Sequence, residues 1–312
     1  MALSSTQLDL SLVRKNRDIS LKVNYLKDKE VKDMKKLLLK RFNSDEGFMG
    51  PTHALSGVAA FLFVAAFFSE YFQKVYGPTN YPIFIAGLIL TIGGSLLPDF
   101  DNTSSTAISV TGMVGQLISS AMRASARAIY VVTRKKTEPA TADPHRMFWH
   151  TIVAAVGIGF LVQALISSTS LIKITLLGKV YSVGTLILAF LILIASQLMF
   201  AVFFKRFIKK VGKLIPWVIG LGISFALITT IPDGSLSWVG ISISLGWFIH
   251  ILGDTLTTAG TPLLFPLSHK GKRWWSWRLP PYIHANGPIE HYVFIPLFLL
   301  IIGVSLIKLI TG

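Results

Sequence analysis

Seven apolar runs decide what this chain can become. They extend roughly from Ala54 to Phe72, Pro82 to Pro98, Thr151 to Ser168, Tyr181 to Phe204, Leu214 to Ile231, Leu236 to Gly253 and Val293 to Ile310. At about 17 to 25 residues, each is long enough to cross a hydrocarbon core of about 30 Å as a helix. Composition agrees: of 312 residues, 52% are hydrophobic and only 14% charged, against roughly a quarter in ordinary soluble domains. The expected fold is all-α, a polytopic membrane protein of about seven transmembrane helices with amphipathic helices at the interface.

The net charge of +15 is distributed unevenly. With the N-terminus in the cytoplasm and the spans alternating, the cytoplasmic segments hold 26 of the 30 Lys and Arg residues; Lys74, Lys173, Lys179 and Lys308 fall outside. That asymmetry is what the positive-inside rule requires, and "KRFIKKVGK" (Lys205 to Lys213) is its clearest element. The basic excess therefore reads as topology and attraction to anionic lipid, and nucleic-acid binding is not expected.

The first fifty residues are polar, with no apolar signal-peptide core, so the N-terminus is expected to be mature. They read as a basic cytoplasmic arm, amphipathic between Val31 and Phe42, ahead of a membrane-embedded domain over residues 51–312. A second non-spanning stretch, Thr103 to Asp143, holds a helical segment with Arg123 and Arg127 on one face, suited to the interface. The following "TRKKTEPATADP" reads as a mobile loop.

All seven histidines fall in cytoplasmic segments or at the inner ends of spans, with carboxylates among them. Asp99 and Asp101 follow the second span, where an extended Asp-Phe-Asp would point both carboxylates the same way. His250 and Asp254 stand at i and i+4 on the sixth span, and so share a helix face. "PHRMFWH" brings His145, Arg146 and His150 to the start of the third span. His53 and Glu290 stand at the inner ends of the first and last. Clustered acids at low dielectric repel unless a cation compensates them. With no cysteine in the chain, a metal would be held by N and O, which suits Zn²⁺, Mn²⁺ or Fe²⁺, as one ion or two.

The blocks "THALSG", "LLPDFD", "HRMFWH", "HILGDTLTTAGTPLLFP" and "NGPIEHY" together resemble the YdjM-like family, described as LexA-binding, inner-membrane-associated, metal-dependent hydrolases. The similarity covers about Gly50 to Pro296. It implies a hydrolase-like metal centre in a polytopic helical protein of the inner membrane. The matching positions are His53, Asp99, Asp101, His145, Arg146, His150, His250, Asp254 and Glu290.

The expected activity is metal-assisted hydrolysis of an ester, foremost a phosphoester of a lipid or lipid-linked substrate, at the cytoplasmic face. In that expectation Asp99, Asp101, His250 and Asp254 are metal ligands, with His53, His145 and His150 completing or orienting the shell. Arg146, and Arg273 after it, hold phosphate oxygens, and Glu290 is the general base. The Trp-rich "SHKGKRWWSWRLPP" reads as an interfacial belt. An intramembrane protease lacks its His-Glu-x-x-His motif. The alternatives are a metal or proton transporter, or a non-catalytic membrane scaffold with a structural metal site.

Overall fold

The computed structural model describes residues 50–311, apart from 78, 79, 104, 144, 177, 213 and 233–235. The expected arm over the first fifty residues lies, but for Gly50, outside the described residues. From there the chain forms α1 (Gly50–Phe67), α2 (Ser69–Tyr76) and α3 (Tyr81–Leu96), a 3-10 turn (Pro98–Asp101), then α4 (Thr106–Thr133) and α5 (Ile152–Thr169). A hairpin of β1 (Lys173–Leu176) and β2 (Lys179–Ser182) leads into α6 (Val183–Phe203), α7 (Lys205–Val211), α8 (Leu214–Thr230), α9 (Val239–Thr255) and α10 (Ile295–Thr311). Five segments are long and apolar enough to cross a membrane: Gly50–Phe67, Tyr81–Asp101, Ile152–Thr169, Val183–Phe203 and Glu290–Thr311. α8 and α9 are also apolar but have 17 residues each, so five of the seven expected runs meet that length as helices. The antiparallel hairpin, pairing Lys173 with Ser182 and Leu176 with Lys179, is the small departure from an all-α chain.

Local chemistry sets the ends that matter. The Asn80 side chain accepts the Ile83 N–H at the start of α3, and Pro98 follows its end. Proline fixes its own φ and favours a tight turn here, so Pro98 to Asp101 is 3-10 helix and not the extended segment expected for Asp-Phe-Asp. Asp101 is consequently buried while Asp99 stays part-exposed. α5 and α6 each begin at a hydroxyl cap, Thr151 accepting the Ala154 N–H and Ser182 that of Thr185.

α9 is the central helix, packed against α3, α5 and α1. The contacts run through small residues, which let helix backbones approach closely where lipid removes the hydrophobic drive for association. A methyl group at Gly246 would overlap the Thr91 carbonyl of α3, and one at Gly240 would meet the Gly159 carbonyl of α5. The exterior is apolar: Phe160, Leu161, Leu221, Leu300 and Ile307 are all exposed. Such a surface is untenable in water and ordinary in lipid.

From residue 256 to 287 the chain folds into a cap without helix. Leu279 N–H donates to the Thr255 carbonyl, Ile283 N–H to that of Leu256, and Thr261 and Trp277 exchange both backbone bonds. The cap is pinned to the end of α4 by Glu138, whose carboxylate accepts the N–H groups of Lys135, Arg273 and Trp274 at 2.6, 2.9 and 2.6 Å. Trp274 stacks on Phe265 and lies against Tyr130. The segment expected to be a mobile loop is thus tied to the cap at Glu138, which is buried.

Two outcomes follow. Gly246→Val should force α9 from α3 and destabilise the protein by about 1–3 kcal/mol, read as a lower midpoint of thermal unfolding in detergent. Glu138→Ala leaves three backbone donors without their carboxylate, and should open the 134–144 segment to limited proteolysis while the helical circular dichroism is retained.

Candidate metal centre

Helix ends from separate parts of the chain meet at one end of the bundle. His53 comes from the first turn of α1, Ser95 from the last turn of α3, and Asp99 and Asp101 from the turn after it. His150 closes the turn before α5, and His250 and Asp254 occupy the last turns of α9. The Gly246 contact lies one turn before His250 and the Thr91 contact one turn before Ser95. The tight α3–α9 crossing is therefore what brings the His250 Nδ1 to 2.8 Å from the Ser95 carbonyl.

That bond settles a tautomer. A carbonyl only accepts, so His250 Nδ1 carries the proton, and in the neutral ring Nε2 is then the atom with a lone pair. The Nε2 atoms of His150 and His250 lie 3.2 Å apart, and Asp254 Oδ2 is 3.4 Å from the first and 3.5 Å from the second. Asp254 Oδ1 is 3.4 Å from His53 Nε2, and Asp99 Oδ1 is 3.7 Å from His250 Nε2. Ligand atoms around a tetrahedral ion with bonds of about 2.0–2.1 Å stand about 3.4 Å from one another. These separations have that size, and the carboxylate–imidazole ones, at 3.4 to 3.7 Å, are long for hydrogen bonds.

Asp254 is the decisive residue. It is 1% exposed, and among the described residues neither carboxylate oxygen accepts a hydrogen bond. A buried carboxylate without hydrogen bonds is costly, and a cation held with the imidazoles would remove that cost. The residues fit such an ion. Two overlapping sets could hold one, His53 with His250 and Asp254, and Asp99 with His150 and His250. His250 belongs to both.

Asp101 stands behind this cluster. Its Oδ1 is 2.6 Å from His145 Nδ1, and its Oδ2 accepts the Arg146 N–H at 3.2 Å and lies 3.4 Å from His150 Nδ1. Its oxygens are engaged by these groups, so it orients His150 in the manner of a carboxylate behind a metal-bound histidine. Burial alone would lower the pKa of His145, but the hydrogen bond it donates to Asp101 and the charges of Asp101 and Asp99 hold it above the usual histidine value. The Asp101–His145 pair is thereby kept in its charged form to higher pH.

Arg146 adopts φ +57, a left-handed conformation rare outside glycine. It aims its N–H at Asp101 while its side chain runs to Asp254, Nε to Oδ2 3.8 Å, and to Thr257, Nη1 donating to Oγ1 at 3.4 Å. Glu290 is buried at the start of a π-helical turn (Glu290–Phe294), where its Oε2 accepts the Asn286 N–H at 2.7 Å. The sets able to hold an ion do not include Glu290. Arg273 donates instead to the Thr133 carbonyl at the end of α4.

Sequence spacing carried no sign of Ser95, Thr257 or Glu138. Their partners are backbone groups or residues more than a hundred positions away.

The sequence matches the family model described as YdjM inner membrane protein over residues 48–309. The chain belongs to the YdjM inner membrane protein family. No curated protein and no solved structure matches it. Membership and the apolar helices together make this YdjM-family chain a membrane protein, with His and Asp groups that could hold a metal ion at one end of its bundle.

If the cluster takes an ion, added Zn²⁺ should raise the unfolding midpoint of chelator-treated protein, by about 2.7 kcal/mol at a free concentration a hundredfold above Kd. Asp254→Asn should abolish the rise. Asp101→Asn should keep the site but weaken affinity by about 10–100-fold, measured by competition with a chromophoric chelator.

Proposed function

We propose that this protein is a membrane-bound, metal-dependent hydrolase acting on a phosphoester of a lipid or lipid-linked substrate at the cytoplasmic face. The observation that carries the reading is the buried Asp254 carboxylate facing the nitrogens of His53, His150 and His250 without a hydrogen bond. His53, Asp99, His150, His250 and Asp254 would hold one or two divalent ions, zinc first. A bound ion would polarise a phosphoryl oxygen and lower the pKa of a water towards neutrality. Arg146, its guanidinium beside Asp254, would hold a second phosphoryl oxygen.

The proton of the attacking water needs a carboxylate at the open edge of the cluster. Asp99 is the part-exposed acid there; with an ion held by His53, His250 and Asp254 its carboxylate is left for that role, and we assign it in place of Glu290, which is wholly buried and accepts the Asn286 N–H. Asp101, His145 and Ser95 position the histidines. The cytoplasmic orientation rests on charge: in an alternating topology of seven spans the basic segments, Lys205 to Lys213 among them, share the side of the site.

The test is elemental analysis of detergent-purified protein, followed by release of phosphate or headgroup from phosphatidic acid, phosphatidylglycerol and polyprenyl phosphates. One or two equivalents of Zn, Mn or Fe are expected, absent from Asp99→Asn/Asp254→Asn, with turnover falling at least about a hundredfold in Asp254→Asn. Protein that keeps its metal but turns over none of these substrates supports the scaffold reading. Protein that neither retains nor takes up metal removes the hydrolase mechanism.

A further inference from the structure

Outside the His/Asp cluster, α4 carries two arginines that the hydrolase reading does not use. The helix has three distinct faces. Met122, Ala126 and Tyr130 are buried against the protein, while Met113, Leu117, Val131 and Val132 are exposed apolar residues. Between these faces runs a polar stripe, Gln116, Ser119, Ser120, Arg123 and Arg127, spaced by threes and fours so that its members lie side by side. The stripe lines a cavity of about 570 Å³ that is completed by Thr103, Ile108 and Ala124.

Charge makes this cavity a receptor for an anion. α4 contains no Asp or Glu, none lines the cavity, and among the described residues neither Arg123 nor Arg127 forms an ion pair. Two guanidinium groups one turn apart repel each other, and an anion between them reverses the sign of that interaction. Guanidinium presents its donors as a planar fork that matches phosphate oxygens, and Gln116 and Ser119 line the same cavity. The place of the helix selects the source of the anion. An apolar outer face next to a basic stripe is the arrangement of a helix lying in the membrane interface, at the level of the headgroups.

We propose that Arg123 and Arg127 bind the phosphate of an anionic phospholipid headgroup in this cavity, at a site separate from the His/Asp cluster. The cavity reaches Thr103, two residues after Asp101, and α4 is tied to the turn that carries His150 by the Trp149 Nε1 bond to the Met122 carbonyl. A lipid seated there would hold α4 against the metal-bearing end of the bundle. The inference needs a membrane protein and does not need hydrolysis.

The experiment is lipid binding to the full-length protein in non-ionic detergent, followed by native mass spectrometry and thermal unfolding. The probes are dioleoylphosphatidylglycerol, dioleoylphosphatidylcholine and inorganic phosphate. Saturable binding of phosphatidylglycerol is expected, stronger than that of phosphatidylcholine, weakened about tenfold or more in Arg123→Gln/Arg127→Gln, and unchanged by EDTA. Arg127→Gln alone, at an exposed position, gives the same direction if the double variant does not fold. Unaltered binding in the variants would overturn the site, and loss of binding with EDTA would overturn its separateness. Inorganic phosphate competing as strongly as the lipid would show a free-anion site and overturn the headgroup assignment.

Discussion

Everything at this end of the bundle answers to one constraint, a carboxylate buried in an apolar helix with imidazole nitrogens around it and no hydrogen bonds of its own. Asp254 lies at the end of a helix whose other residues are mostly apolar, and taking its charge from water is expensive. The cost is tolerable only if compensating groups arrive from elsewhere in the chain with good geometry. They come from α1, from the turn before α5, and from α9 itself, and Arg146 adds a formal positive charge at 3.8 Å. The helix ends must therefore be close, and small residues make them so. The Gly246 and Gly240 contacts draw α9 against α3 and α5, and the Ser95 carbonyl then lies within reach of His250.

Behind the nitrogens stands a second layer that gives them direction. Ser95 fixes which nitrogen of His250 is free, and Asp101 faces both His145 and His150 while accepting a backbone N–H from Arg146. These groups are no less costly to leave unpaired than the ligands they orient, and each is held by backbone that the fold has already immobilised. The left-handed Arg146 belongs to this layer. Its unusual φ turns the N–H towards Asp101 and the side chain towards Asp254 from the same residue.

The cap over residues 256–287 and α4, which kinks at Gly112, supply the surroundings. Glu138 ties them together by accepting three backbone N–H groups, and Trp274, stacked on Phe265 of the cap, lies against Tyr130 of α4. α4 adds a basic stripe at the same end of the molecule as the His/Asp cluster. This arrangement sets imidazoles, carboxylates, a guanidinium and a basic stripe within one region of the molecule.

Much of this was legible in the residues alone. Apolar run length marked α1, α3, α5, α6, α8, α9 and α10, because hydrophobicity over a span is a local property. The i, i+4 spacing of His250 and Asp254 put both on one face, and the carboxylates and histidines clustered by chain position at the ends of runs. The family resemblance rested on those same blocks. What tertiary structure alone decided was which groups meet and in what role. Asp-Phe-Asp read as a shared pair of ligands, yet Pro98 turned it into a 3-10 segment that buries Asp101 behind His150 and leaves Asp99 at the edge. Ser95, Thr257 and Glu138 entered through partners distant in sequence, and Arg273 and Glu290 acquired backbone partners. Spacing along a chain fixes neighbours on one helix, whereas contacts between helix ends depend on how closely the backbones can pack, and that is set by glycines whose significance appears only when a second helix lies against them.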